Sequence, residues 1–134
     1  MAGNSPISWA SRKQDITTLS STEAEYIALG MGAQDAMWIG KILRFLGHPV
    51  VPRLWTDNRG AATLSANPDL HKRTKHIHRR HHFVRECVEE GEIIVHWVRG
   101  DDNPTNILTK PVVGSRLSAL KELAGCTRKA CAAD

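Results

Sequence analysis

Two carboxylates occupy positions from which they could hold a hard cation. Glu25 falls in the first turn of an expected helix. Asp57 falls at the end of an expected strand, in the run Trp55-Thr-Asp-Asn58. A carboxylate at the C-terminal edge of a strand, beside another from a neighbouring helix, suits Mg²⁺, which takes oxygen ligands and few protein residues. Each acid also has an ordinary role open to it. Thr22 can serve as a helix N-cap with Glu25 at the third helical position, the capping-box arrangement, and an acid there complements the helix dipole. Asp57 can cap the helix that follows it.

A second constellation is cationic. The segment from His71 to Arg85 reads HKRTKHIHRRHHFVR, with six Lys or Arg, five His and no acid. Such a block attracts phosphate backbones through counterion release, and is otherwise a solvated helix face. Net charge is +4 and the pI about 9.2, which alone says little about a polyanionic partner. His78 and His82 stand four apart on one helix face, a spacing that can hold Zn²⁺, but no Cys or acid in the segment completes a tetrahedral set. Trp9, Trp38, Trp55 and Trp97 could stack on bases. They sit within apolar runs, which predicts core packing instead. Cys87, Cys126 and Cys131 are odd in number and scattered, with no CxxC pair, so a reducing, intracellular compartment (cytoplasm or nucleus) is expected rather than a disulfide framework.

These residues need a scaffold. At 134 residues the chain has room for one compact domain, and its apolar fraction of 41% and charged fraction of 24% are ordinary for a globular protein. No apolar run reaches membrane-spanning length, and the start, Met1 to Pro6, does not read as a secretory signal. Ile7-Ser-Trp9 predicts a strand a few residues long. A long helix is expected from Thr22 to Leu46, with Ala24, Ala28, Met31, Ile39, Ile42 and Leu46 at roughly helical spacing and Gly47 as its stop. Pro52 to Thr56 reads as a strand and Asn58 to Ser65 as a short helix. A second long helix is expected over Thr74 to Glu90, with Ile77, Val84 and Val88 as its apolar stripe and Gly91 as its end. Glu92 to Val98 is the clearest strand. Gly100 to Pro104 reads as a turn, Thr105 to Lys110 as a helix stopped by Pro111, and Ser115 to Ala124 as a last helix. The pattern is α/β without internal repeats.

Five segments together resemble the ribonuclease H domain that ends copia-type retrotransposon polyproteins. Residues 20–26, SSTEAEY, look like that family's signature. Residues 54–58, LWTDN, resemble its LWCDN-like segment. Residues 73–77, RTKHI, with 82–86, HFVRE, resemble its RTKHIDIRYHFVRE stretch. Residues 88–92, VEEGE, and 107–111, ILTKP, complete the series in order. The resemblance covers about Ile7 to Gly125. It implies two-metal hydrolysis of the RNA strand of RNA–DNA hybrids, with four acids holding two Mg²⁺ or Mn²⁺ ions about 4 Å apart. Glu25 and Asp57 match two of those acids; Glu23 reads as a helix N-terminal acid. Lys72, Arg73, Lys75, His76, Arg79 and Arg80 are the expected nucleic-acid contacts.

The chain also departs from the family pattern. The family's first catalytic Asp lies on a strand upstream of everything in these 134 residues. Its last acid precedes the ILTK-like segment, where this chain has Asn106. An Asn carbonyl is a neutral and weaker ligand for Mg²⁺, and both departures fall on the water-activating ion, so little or no hydrolysis is expected. His78, Arg79 and His81 replace the family's Asp, Ile and Tyr and make the helix more basic. The expected fold is therefore an RNase H-like α/β fold lacking its first two strands, over residues 1–125, with a mixed sheet, covering helices and a flexible tail over 126–134. Sheet order in that fold is third, second, first, fourth, fifth, so exposed strand edges invite self-association. The rival reading is a non-catalytic RNase H-like module that binds nucleic acid or protein.

Overall fold

The structure, a computed structural model, describes residues 6–14, 17–18, 20–66 and 78–126, with residues 78–82 described by backbone alone. Helix α1 spans Ser21–Phe45, strand β1 Arg53–Thr56, helix α2 Arg59–Ala66, helix α3 His78–Glu89 and strand β2 Ile94–Trp97. A 3₁₀ turn at Gly100–Asp102, a short α4 at Asn106–Thr109 and α5 at Gly114–Leu123 follow. Two compact units divide the chain: Gln14–Gly100, and Met1–Lys13 with Asp101–Asp134.

Local chemistry sets the ends of the helices. Ser20 is extended and its hydroxyl accepts from the Glu23 amide at 3.1 Å, so Ser20 caps α1 with Glu23 at the third position. The expected cap at Thr22 is corrected by two residues. The hydroxyl that reaches an unpaired amide is the one preceding the first helical turn, and Thr22 is already within it. At the other end Gly47 adopts φ 83°, and the amides of Gly47 and His48 return to the carbonyls of Arg44 and Leu43. Gly91, with φ 70°, closes α3 the same way, its own amide and that of Glu92 bonding to Val88 and Cys87. Both are Schellman closures, which require the left-handed backbone that glycine adopts without strain.

In the larger unit β1 and β2 pair in parallel, with Arg53 opposite Ile94 and Thr56 opposite Trp97. A parallel pair needs a crossover, and α2 and α3 fall within it. The core is built from Tyr26, Leu29 and Ala33 of α1, Ala61 of α2, Val84 and Cys87 of α3, and Ile93 at the entrance to β2, with Met37, Leu54, Leu64, Phe83, Val88 and Val95 packed around them.

Several expectations are corrected here. Ile7 to Trp9 forms no strand and is exposed, and among the described residues the sheet is wholly parallel rather than mixed. The buried face of α1 carries Tyr26, Leu29 and Ala33; Ile42 and Leu46 are exposed. Gly30 lies on this face too, where a methyl would meet Val84 Cγ2 at an ordinary contact distance of 3.6 Å. The tryptophans are not core residues: Trp9 is 73%, Trp38 66%, Trp55 56% and Trp97 40% exposed. Helix α3 is described from His78, and residues 74–77 of its expected span lie outside the described residues, as does the tail from residue 127.

The smaller unit is held by local polar contacts. Asn103 is buried, and its side-chain oxygen accepts from both the amide and the hydroxyl of Thr105, turning the chain into α4. Arg116 of α5 reaches Asp101 at 2.7 Å in an exposed pair, worth about 1 kcal/mol at most. Leu120 is its buried apolar anchor. Among the described residues no helix is long and apolar enough to cross a membrane.

Candidate functional site

The corner between β1 and α2 settles which residue caps and which does not. Asn58 accepts from the Ala61 amide at 3.0 Å, and its own amide donates to the Thr56 hydroxyl at 3.2 Å. Asn58 is thus the cap of α2, and the Asp57 carboxylate has no capping duty. The shift of the α1 cap to Ser20 does the same for Glu25, which lies beyond the capping box. The capping roles that the sequence left open for both acids are taken by Ser20, with Glu23 at its third position, and by Asn58.

Both acids border one junction. A methyl added at Gly60 would stand 2.9 Å from Thr22 Cγ2 and 3.1 Å from Asn58 Oδ1, so the first turn of α2 lies directly against the first turn of α1. Glu25 is one turn beyond Thr22, on the same side of α1. Asp57 immediately precedes the cap on the other side of the contact, and both carboxylates belong to half-buried residues. The chain leaving β2 also meets this corner, where a methyl on Gly100 would stand 3.3 Å from Asp57 Oδ2.

Aromatic and cationic groups surround the corner. Trp97 Nε1–H donates to the Asp57 backbone carbonyl at 3.2 Å. The Arg59 guanidinium lies over the Trp97 ring, 4.4 Å from its centre, a cation–π contact. One register step back, Trp55 stacks on His96 with ring centres 4.6 Å apart and planes 26° from parallel. Sequence reasoning placed the tryptophans in the core and missed this group. The alternation Leu54-Trp55-Thr56 held the signal, because with Leu54 and Thr56 facing the helices Trp55 must face away.

Asn106 is 3% exposed and opens α4 in the smaller unit. Burial to that degree suits a neutral side chain and penalises a carboxylate without a compensating charge. Lys72, Arg73, Lys75 and His76 lie outside the described residues, and Arg79 and Arg80 are placed on α3 by backbone only. The side chains of His78 and His82, the pair spaced for zinc, also lie outside them.

Among the described residues no group of three or more His, Cys, Asp or Glu is arranged to hold a metal ion. Two-ion hydrolysis asks for more than that, so the described residues do not fit a pair of divalent ions.

The chain is similar to retrovirus-related Pol polyproteins. It is 38% identical over 120 residues to the one from transposon TNT 1-94 of Nicotiana tabacum, a match covering 89% of this chain and 9% of that protein. It is 42% identical over 114 residues to the one from transposon RE2 of Arabidopsis thaliana, covering 82% of this chain and 8% of the relative. It is 38% identical over 128 residues to the one from transposon RE1 of the same plant, covering 94% and 9%. No protein-family profile matches the chain, and no solved structure does. Over most of its length, then, the chain is a homologue of a segment, less than a tenth in extent, of the retrovirus-related Pol polyproteins of plant transposons.

Proposed function

We propose that this chain derives from the ribonuclease H region of a copia-type retrotransposon polyprotein and acts as a nucleic-acid-binding module with an incomplete catalytic centre. The observation that carries the reading is the coincidence of five ordered family-like segments with similarity to Pol polyproteins over most of the chain. The placement of the Glu25 and Asp57 turns beside one junction supports it. Glu25 and Asp57 are the two acids offered to a divalent ion, Mg²⁺ or Mn²⁺, whose remaining positions water would fill. Asn106 stands where the family's last acid is expected. The RNA–DNA hybrid is bound through phosphates, by Lys72, Arg73, Lys75, His76, Arg79 and Arg80, in an acid-free segment.

A hybrid-binding and hybrid-cleavage assay on the 134-residue chain tests both halves. Binding is expected at low salt and declines as salt rises. Replacing Arg79 and Arg80 with Glu weakens it and flattens the salt dependence. No cleavage is expected with Mg²⁺ or Mn²⁺. Robust cleavage abolished by Asp57→Asn would overturn the incomplete-centre reading. Absence of hybrid binding at any salt would overturn the nucleic-acid reading.

A further inference from the structure

We infer that the Trp55–His96 pair, with Arg53 beside it, is a stacking platform for an unpaired nucleobase of a polynucleotide, a contact separate from the phosphate-binding segment. The inference rests on the nucleic-acid reading above and adds a named subsite to it.

Register defines the surface. Side chains alternate along each strand, and Arg53, Trp55, Ile94 and His96 share one face of the parallel pair. Leu54 and Val95 share the other, where they pack against the core, and Thr56 is buried on that same side. The Arg53 face is open: Arg53, Trp55 and Ile94 are exposed and His96 is half-buried. At 56% exposure the indole is accessible from solvent. His96 braces the indole by stacking at 4.6 Å, which fixes the ring's orientation before any ligand arrives.

The chemistry of the occupant follows. The four residues of this face bring together an indole, an imidazole and a guanidinium with no acid among them, and Arg53 lies two residues from Trp55. A base presents a π-face to such a ring whatever its identity, and its phosphate is drawn to a guanidinium. Aromatic side chains on adjacent strands of an open sheet are a recurrent way to hold splayed-out bases. Paired bases inside a duplex are already stacked on one another, so the occupant is a base in a single-stranded end or overhang.

The test is fluorescence anisotropy with labelled oligonucleotides: a blunt RNA–DNA hybrid, and the same hybrid with a short single-stranded overhang. Wild type is expected to prefer the overhang. Trp55→Ala should abolish that preference, a loss of about tenfold in affinity for the overhang substrate, and leave the blunt hybrid unchanged. Trp55→Phe should retain most of it, and His96→Ala should lose part of it. Circular dichroism and the unchanged blunt-hybrid affinity certify the fold of each variant. Equal overhang preference in wild type and Trp55→Ala overturns the platform while leaving the phosphate-binding reading intact, and makes the pair a cross-strand stabiliser only. Failure of wild type to bind any of these oligonucleotides sinks both.

Discussion

Tyr26 is the chain's one tyrosine and lies almost entirely buried in the core, at 1% exposure. Burial pushes its phenol from the ordinary value of 10.0 up to about 12, against a smaller opposing pull from the Arg85 charge. The neutral phenol is favoured by the fold, so the associated stability is fully present below pH 10. Above that the unfolded chain releases its proton first, and the stability is lost as pH rises from about 10 through about 12, roughly 2–3 kcal/mol in all. Tyrosinate absorbance reads this one site without ambiguity. The native chain should titrate near 12 and the urea-unfolded chain near 10; a native titration at 10 would mean that the ring is in water. Burial likewise raises the Cys87 thiol, helped by Glu92, Glu90 and Glu86, which leaves it inert beside the exposed Cys126. At this scale the sequence was informative about type and poor about partner. It pointed to Glu25 and Asp57 by position but could not say that Ser20 and Asn58 would take the caps. A cap is chosen by which side chain reaches an amide, a difference of one or two residues that composition does not encode.

The contact between α1 and α2 turns on Gly60. Elsewhere in a helix an alanine would gain about 1 kcal/mol over glycine. Here its methyl would stand 2.9 Å from Thr22 Cγ2 and 3.1 Å from Thr22 Oγ1 and Asn58 Oδ1, so Gly60→Ala is expected to destabilise the chain by roughly 1–3 kcal/mol. Urea denaturation should show the loss, and adding Thr22→Ala should recover much of it by removing the clashing group. A neutral Gly60→Ala would mean that the two first turns are not in contact. Helix and strand extents were largely legible because periodicity, Gly47 and Gly91 are local signals. The strand at Ile7 was not borne out. Three apolar residues carry little β signal by themselves, and a strand exists only where a neighbour supplies its hydrogen bonds. The buried face of α1 was also misread, since Ile42 and Leu46 are larger and more apolar than the Gly30 and Ala33 that face α3.

At the scale of the whole molecule, the described sheet has two strands and therefore two outer edges. Trp38, Ile42 and Phe45, spaced four and three apart along α1, are exposed together, and Leu46 follows them. Trp38 and Phe45 alone leave on the order of 300 Å² of ring surface in water, about the size of the largest apolar patch on a typical monomer, which is often a functional one. The 134-residue chain is expected to self-associate at micromolar concentration, read as a concentration-dependent sedimentation coefficient. Trp38→Arg with Phe45→Lys should reverse it. A compact monomer over the whole concentration range, with cooperative unfolding, would refute it.

The sequence by itself determined what is carried by local order. The motif series that points to a Pol-like origin, the helix stops at Gly47 and Gly91, the two carboxylates and the acid-free basic segment all lie within windows of a few residues, where backbone conformation and charge follow from neighbours in the chain. Tertiary structure alone decided what depends on register and close approach. Parallel pairing of Arg53–Thr56 with Ile94–Trp97 turned Leu54 and Val95 inward and Trp55 and His96 outward, and contact at Gly60 set the Glu25 turn beside the Asp57 corner. Shifting either strand by one residue would exchange its inner and outer faces with no change in composition. That is why Trp55 reads as core in the sequence and stands at the surface in the fold.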